Sequence, residues 1–294
     1  MAEQLSETVA ASCSARALDA GEPLAGTAVA DARWLALEQQ GPWPAKLAGA
    51  LADRCAELGV RLQLLRRSVA RDAGDGRVAR TCFLAALGDD GRWRVERHVL
   101  RDPEDVRRLP LDALGEGRST DPAARTQEGL FLVCAHGERD PCCARLGRPL
   151  HRALCAAHEA RTWQTSHLGG HRFAATMVHF PSGYCLGRVP AGRAREIAAL
   201  LDDARLPVEL LRGRVGDPPA AQAADVLVRR ERGLDRVGDV ALAGVDGGTV
   251  TLRVRGGERV TVRVDREPLD AERPASCGKA AEPAERYVVR GLSG

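Results

Sequence analysis

Four residues near the middle of the chain could do metal or redox chemistry together. Cys134 and Cys143 are separated by eight residues in FLVCAHGERDPCCARLG, and His167 and His171 stand as H-x3-H in SHLGGHRF. Two thiols and two imidazoles form a soft-to-borderline donor set of the kind that binds a [2Fe–2S] cluster or Zn²⁺. The gap between the cysteines exceeds the roughly two to four residues usual between paired zinc ligands, which leans toward iron–sulfur. Neither pair is specific alone. The order strand, Cys, loop, Cys, helix, followed by a second close pair, is much more so.

The elements that must position these groups are legible from pattern. Residues 129–134, GLFLVC, read as a strand ending on Cys134. A helix is predicted from about Cys143 to Glu159, with Leu146, Leu150 and Leu154 on one side. A thiolate at Cys143 would face the positive end of that helix and its free amides, which lower a thiol pKa. Gly169 and Gly170 between the histidines oppose a helix and predict a tight loop, through which backbone amides could approach a cluster's sulfides. Cys142 could compete with Cys143 as a ligand. His136 could also ligate, but its place in CAHG reads as shaping the loop. Arg172 would pair with an acidic neighbour or help dock an electron donor. Cys55, Cys82 and Cys155 lie in apolar runs and read as small core residues.

The bulk numbers bound the rest. The 294 residues carry 44% hydrophobic and 28% charged side chains, ordinary for a globular protein and long enough for two domains. Basic and acidic residues, 43 and 40, are interspersed, so no field suited to nucleic acid is expected. Lys46 and Lys279 are the only lysines; the arginine, alanine and glycine bias resembles GC-rich bacterial coding. No apolar run approaches the roughly 20 residues that span a bilayer, and the N-terminus lacks the basic region of a secretory signal. A cytoplasmic protein is expected, where nine cysteines call for metal or redox chemistry rather than disulfides.

Along the chain, residues 1–25 read as a flexible N-terminus and 26–113 as an α/β unit. Within that unit we expect a strand at 34–37, a helix over 45–58 ending at Gly59, and a strand at 60–65. An Arg/Asp/Gly loop, strands at 81–87 and 93–100 and a short helix at 102–109 follow. Residues 114–128 read as a linker. Residues 129–212 then hold the Cys/His elements, a strand at 162–166, a hairpin over Pro181-Ser182-Gly183, and a helix at 190–203. Residues 213–294 read as an accessory region with a helix at 220–234 and a hairpin at 249–264 around Gly256-Gly257. Arg253, Arg255, Arg259 and Arg263 on that hairpin could imitate a winged DNA-binding motif, but acidic residues nearly balance them.

The stretch CAHGERDPCCARLGRPL…TWQTSHLGGHRFAATMVHFPSGYCLGRV resembles the sucrase/ferredoxin-like family, whose second half looks like a thioredoxin-like ferredoxin. GTAVADARWLALEQQGPWP resembles the first half of the same family. The likeness covers roughly residues 13–212, with 129–189 the most specific part. It implies an α/β fold in which a thioredoxin-like ferredoxin domain follows a second thioredoxin-like unit. It also implies that the cysteine pair which completes an ordinary ferredoxin site is replaced by two histidines. The cluster ligands would then be Cys134, Cys143, His167 and His171. SCG at 276–278 is similar to endings in bacterial members.

The implied function is one-electron transfer, proton-coupled through the histidines, or redox sensing. No Gly-rich dinucleotide fingerprint or P-loop is present, so reductant would come from a partner reductase or flavoprotein. No carboxylate pair supports a sucrase activity, and an electron carrier is expected rather than a stand-alone enzyme. The competing readings are a Cys2His2 zinc fold, a thiol oxidoreductase using Cys142-Cys143, and an interaction module. The thiol reading is opposed by the absence of C-x-x-C.

Overall fold

The computed structural model describes residues 12–67 and 79–293. The N-terminal half contains helix α1 (Cys13–Asp19), strand β1 (Arg33–Glu38), helix α2 (Ala50–Glu57), strands β2 (Arg61–Arg66), β3 (Arg80–Leu87) and β4 (Trp93–Leu100), and the short helix α3 (Leu111–Gly115). Strand β5 (Leu130–Cys134), helix α4 (Pro141–His158), strands β6 (Thr162–Thr165), β7 (Met177–Phe180) and β8 (Tyr184–Leu186), helix α5 (Ala194–Asp202) and strand β9 (Leu211–Arg214) follow. The chain closes with helix α6 (Pro219–Arg232) and strands β10 (Val240–Asp246), β11 (Thr249–Val254), β12 (Arg259–Pro274) and β13 (Ala281–Ser293).

Two units share one pairing pattern. In the first, β1 runs parallel to β2 and antiparallel to β3, and β4 lies beyond β3. In the second, β5 runs parallel to β6 and antiparallel to β7, and β8 lies beyond β7. The corresponding edges β2 and β6 pair antiparallel, Leu65 opposite Thr165. The result is one nine-stranded sheet, ordered β4-β3-β1-β2-β6-β5-β7-β8-β9. Every residue of β5 is buried, as expected of a parallel strand covered on both faces. One core joins the units across the sheet: Trp34, Phe83 and Trp93 from the first pack with Leu132, Trp163 and Phe180 from the second. Trp93 and Trp34 both meet Phe180 edge-on, at ring distances of 4.9 and 5.5 Å. The stems of Cys134 and Cys143 belong to that same core.

Helix α6 is sandwiched. Val226 packs on the second unit's core, while Ala221, Ala224 and Val228 face an antiparallel sheet of β10–β13. The expected hairpin at 249–264 is β11–β12, within a larger meander.

Several expectations need correction. Residues 12–25, read as a flexible tail, form a capped helix packed on the rest of the chain: Ser12 caps α1 through a bond from Ala15 N, and Cys13 and Ala17 are fully buried. The buried Glu22 carboxylate receives Arg273 Nε and Nη2, both at 2.7 Å, and Arg172 Nε at 2.8 Å. The partners Arg172 and Arg273 lie far along the chain, so local pattern could not reveal them. Residues 1–11, and most of the Arg/Asp/Gly loop expected after β2, lie outside the described residues. The helix expected over 45–58 is confined to 50–57. In the segment read as a linker, Glu96 binds Ser119 Oγ at 2.6 Å and the amides of Thr120 and Asp121 at 2.9 and 3.0 Å, fixing it against β4.

Burial also sets a pH dependence. His179 on β7 is 4% exposed, bonded through Nδ1 to Ser182 Oγ at 2.9 Å, and burial pushes its pKa down to about 4, with Asp202 and Arg161 acting in opposite senses. The unfolded chain protonates this ring near its ordinary value of about 6.5, so stability is full above that pH and falls as pH drops toward 4. Urea denaturation at pH 7 and pH 4 is expected to show His179→Gln escaping about 3 kcal/mol of the parent's loss. Equal losses in both proteins would disprove the assignment.

Candidate metal centre

Helix α4 starts at Pro141, two residues before the predicted position, because Asp140 caps it: its carboxylate accepts from Cys142 N at 2.8 Å and Pro141 occupies the first turn. Cys143 therefore sits within the first turn and faces the end of β5. The donor atoms of Cys134, Cys143 and His167 all lie within 4.8 Å of one another. Cys143 Sγ is 3.8 Å from His167 Nδ1.

His167 is held at both backbone ends. Its N–H donates to His136 Nδ1 at 3.2 Å, and Arg61 Nη2 donates to its carbonyl at 3.0 Å. His136 is thus a loop-shaping residue, buried and edge-on to Trp43 at 5.8 Å. His171 stands outside the compact trio. Its ring lies 4.9 Å from the His167 ring, its Nε2 is 3.8 Å from Asp140 Oδ2, and its buried Nδ1 has no hydrogen-bond partner among the described residues.

Glycine is required between the histidines. Gly169 and Gly170 have φ of +82° and +65°, and a Cβ on Gly170 would lie 2.4 Å from Arg212 Nη2. Arg212 is the group beneath this loop: 1% exposed, it donates through Nη1 to Gly169 O at 2.9 Å and through Nε to Thr27 Oγ1 at 3.1 Å. Arg172 turns away to Glu22, so the acidic-neighbour reading describes it.

The electrostatics differ from the helix-dipole expectation. The Cys134 thiol is held well below its ordinary range by the hydrogen bond from Cys143, with His167 adding to the effect. Cys143 is raised by the same bond and by burial. Burial lowers the His171 pKa against the pull of Asp140.

Cys142 does not compete with Cys143 in this group. Its Sγ lies 3.6 Å from Cys13 Sγ and 3.4 Å from Cys277 Sγ, and its pKa is lowered to about 5, chiefly by the bond from Cys13. Cys13, Asp140 and Arg212 went unread in the sequence, and Cys277 was noticed only within SCG at 276–278, with no role assigned. Only Asp140 had a local signal, an Asp-Pro step before a helix.

The sequence profile of the sucrase/ferredoxin-like proteins matches residues 24–213, more than half of the chain. The chain belongs to the sucrase/ferredoxin-like family. A relative among characterised proteins, "Altered inheritance of mitochondria protein 32" of the yeast Meyerozyma guilliermondii, is 37% identical over 60 residues, 18% of this chain and 21% of that protein. The match thus spans about a fifth of the relative's length. No solved structure matches. In this sucrase/ferredoxin-like chain the site is a pair of buried cysteines beside a glycine turn that carries two histidines. Among the described residues, no helix is long and apolar enough to cross a membrane.

Proposed function

We propose that Cys134, Cys143, His167 and His171 hold a [2Fe–2S] cluster, and that the protein is a one-electron carrier or redox sensor. The observation that carries this reading is the split donor set: a compact trio plus a histidine standing off with a buried, unpartnered Nδ1. The trio by itself would suit a single zinc ion with an open position; the fourth donor, His171, standing apart is what a binuclear core with ligands on two metals would use. Leaving a buried imidazole nitrogen unpaired costs about 1–3 kcal/mol, which a bond to metal would offset.

When bound, such a cluster accepts and returns one electron. The chain's own residues set the conditions. Neutral imidazoles in place of two thiolates remove negative charge, and the Gly169–Gly170 turn, pinned by Arg212, fixes where the rings point. Lys46, Arg61 and Arg139 line an open cavity of about 330 Å³ beside His167, a basic approach suited to an acidic reductase or flavoprotein. Proton release from a ring nitrogen on oxidation would make the transfer proton-coupled.

Anaerobic purification with iron and sulfide analysis, visible and EPR spectra tests the reading. The expected midpoint lies between about −400 mV for plant-type clusters and the roughly −150 to +300 mV of bis-histidine Rieske centres. His167→Cys and His171→Cys are expected to retain the cluster with lowered potentials. The parent's midpoint is expected to fall as pH rises through neutrality. Absence of iron and acid-labile sulfide would refute the proposal. Zinc at this site, a second reading favoured by the compactness of the trio, would then be the finding.

A further inference from the structure

Outside the matched region 24–213, two cysteines converge on a third inside it. Cys13 opens α1, Cys142 lies in the first turn of α4, and Cys277 sits in the turn between β12 and β13. Their sulfurs form a nearly equilateral triangle: 3.6 Å from Cys13 to Cys142, 3.4 Å from Cys142 to Cys277 and 3.5 Å from Cys277 to Cys13. Both oxygens of Asp140 lie 3.7 Å from Cys13 Sγ. Four chemistry-bearing side chains from three remote segments thus share one small volume.

We propose that Cys13, Cys142 and Cys277, closed by Asp140, form a second metal site that binds one zinc ion. The proposal does not depend on the [2Fe–2S] reading. Zinc–sulfur bonds of about 2.3 Å in a tetrahedron place sulfurs about 3.8 Å apart, which this triangle reaches with small adjustments. The separations are far above the roughly 2.05 Å of a disulfide, and three sulfurs cannot all pair. Thiolates select a borderline-soft ion such as Zn²⁺ over Mg²⁺ or Ca²⁺. On binding, Zn²⁺ displaces the remaining thiol protons to solvent, and no electron changes hands.

The surroundings are built for an anionic group of this kind. Asp140 is held by Cys142 N at 2.8 Å, Cys277 N at 2.9 Å and Ser276 Oγ at 3.0 Å, which leaves lone-pair capacity facing Cys13. Arg145 Nη2 lies 3.7 Å from Cys142 Sγ, and the N-terminus of the 18-residue α4 adds positive potential. Zinc here would clamp α1 and the β12–β13 turn onto the second unit. It would also brace Asp140, which touches His171.

The test is metal analysis of the full-length chain produced with zinc present. The expected result is one zinc per chain, falling below about a fifth of an equivalent in Cys13→Ser and Cys277→Ser, with any iron and sulfide content unchanged. Cys134→Ser should do the reverse, losing iron and keeping zinc. Since Cys13 is fully buried and its variant could fail to fold, Cys277→Ser, checked by circular dichroism, decides the matter. Mercurial titration of the parent should release zinc in step with its thiols. Zinc unchanged in Cys277→Ser, or lost in Cys134→Ser instead, overturns the proposal. So does a zinc-free parent, including one whose mass shows a disulfide among these three cysteines. A parent with zinc but no iron would sink only the cluster reading.

Discussion

Gly147→Ala is expected to destabilise the metal-free protein by about 3 kcal/mol or more, although alanine is the better helix former by about 1 kcal/mol. A Cβ at this position would stand 1.9 Å from Cys134 O and 3.0 Å from Cys134 C. Both are main-chain atoms of the central strand β5, so no side chain can rotate away. Helix α4 must move off the strand instead. Cys143, one turn earlier on the same face, would move with it and draw its sulfur away from Cys134. Denaturant unfolding should report the loss of stability, and metal content per chain should fall. A variant as stable as the parent would show that α4 does not approach β5 this closely.

Arg229→Met is expected to cost about 3–5 kcal/mol, because it strands a buried carboxylate. Arg229 is fully buried on α6 and donates to Asp225 Oδ1 at 2.9 Å and Tyr184 Oη at 2.8 Å. It also reaches the carbonyls of Arg236 at 2.7 Å and Val237 at 3.2 Å. One guanidinium therefore ties β8 of the second unit to the C-terminal sheet. Without it, the buried Asp225 carboxyl loses its cationic partner. The double variant Arg229→Met/Asp225→Leu should recover most of the loss, since replacing both members of a buried pair by apolar groups is often nearly neutral. A double variant no better than the single would mean that the carbonyl bonds, not the ion pair, dominate.

These effects mark where sequence reasoning reaches and where it stops. The strand into Cys134, the helix after it and the non-helical turn at Gly169-Gly170 were legible because apolar periodicity and glycine act locally. The β8 hairpin and the helix of the C-terminal region were legible for the same reason. The start of α4 was misplaced by two residues even though Asp140-Pro141 announces a capped first turn. At Cys143 the thiol is raised rather than lowered, first by the hydrogen bond with Cys134, a neighbour only in the fold, and then by burial.

Residue types and spacing alone marked this as a mixed α/β chain and singled out two thiols and two imidazoles as its candidate donor set. They also placed it in resemblance to the sucrase/ferredoxin-like proteins, because donor chemistry and local turn geometry are written in short stretches. Only the tertiary structure decided that two repeated units fuse into one sheet through β2 and β6. It also decided that Arg212 lies beneath the histidine turn, and that Cys13 and Cys277 meet Cys142. Those contacts join segments with no periodic relation to one another; burial and hydrogen bonding select them after the chain has collapsed.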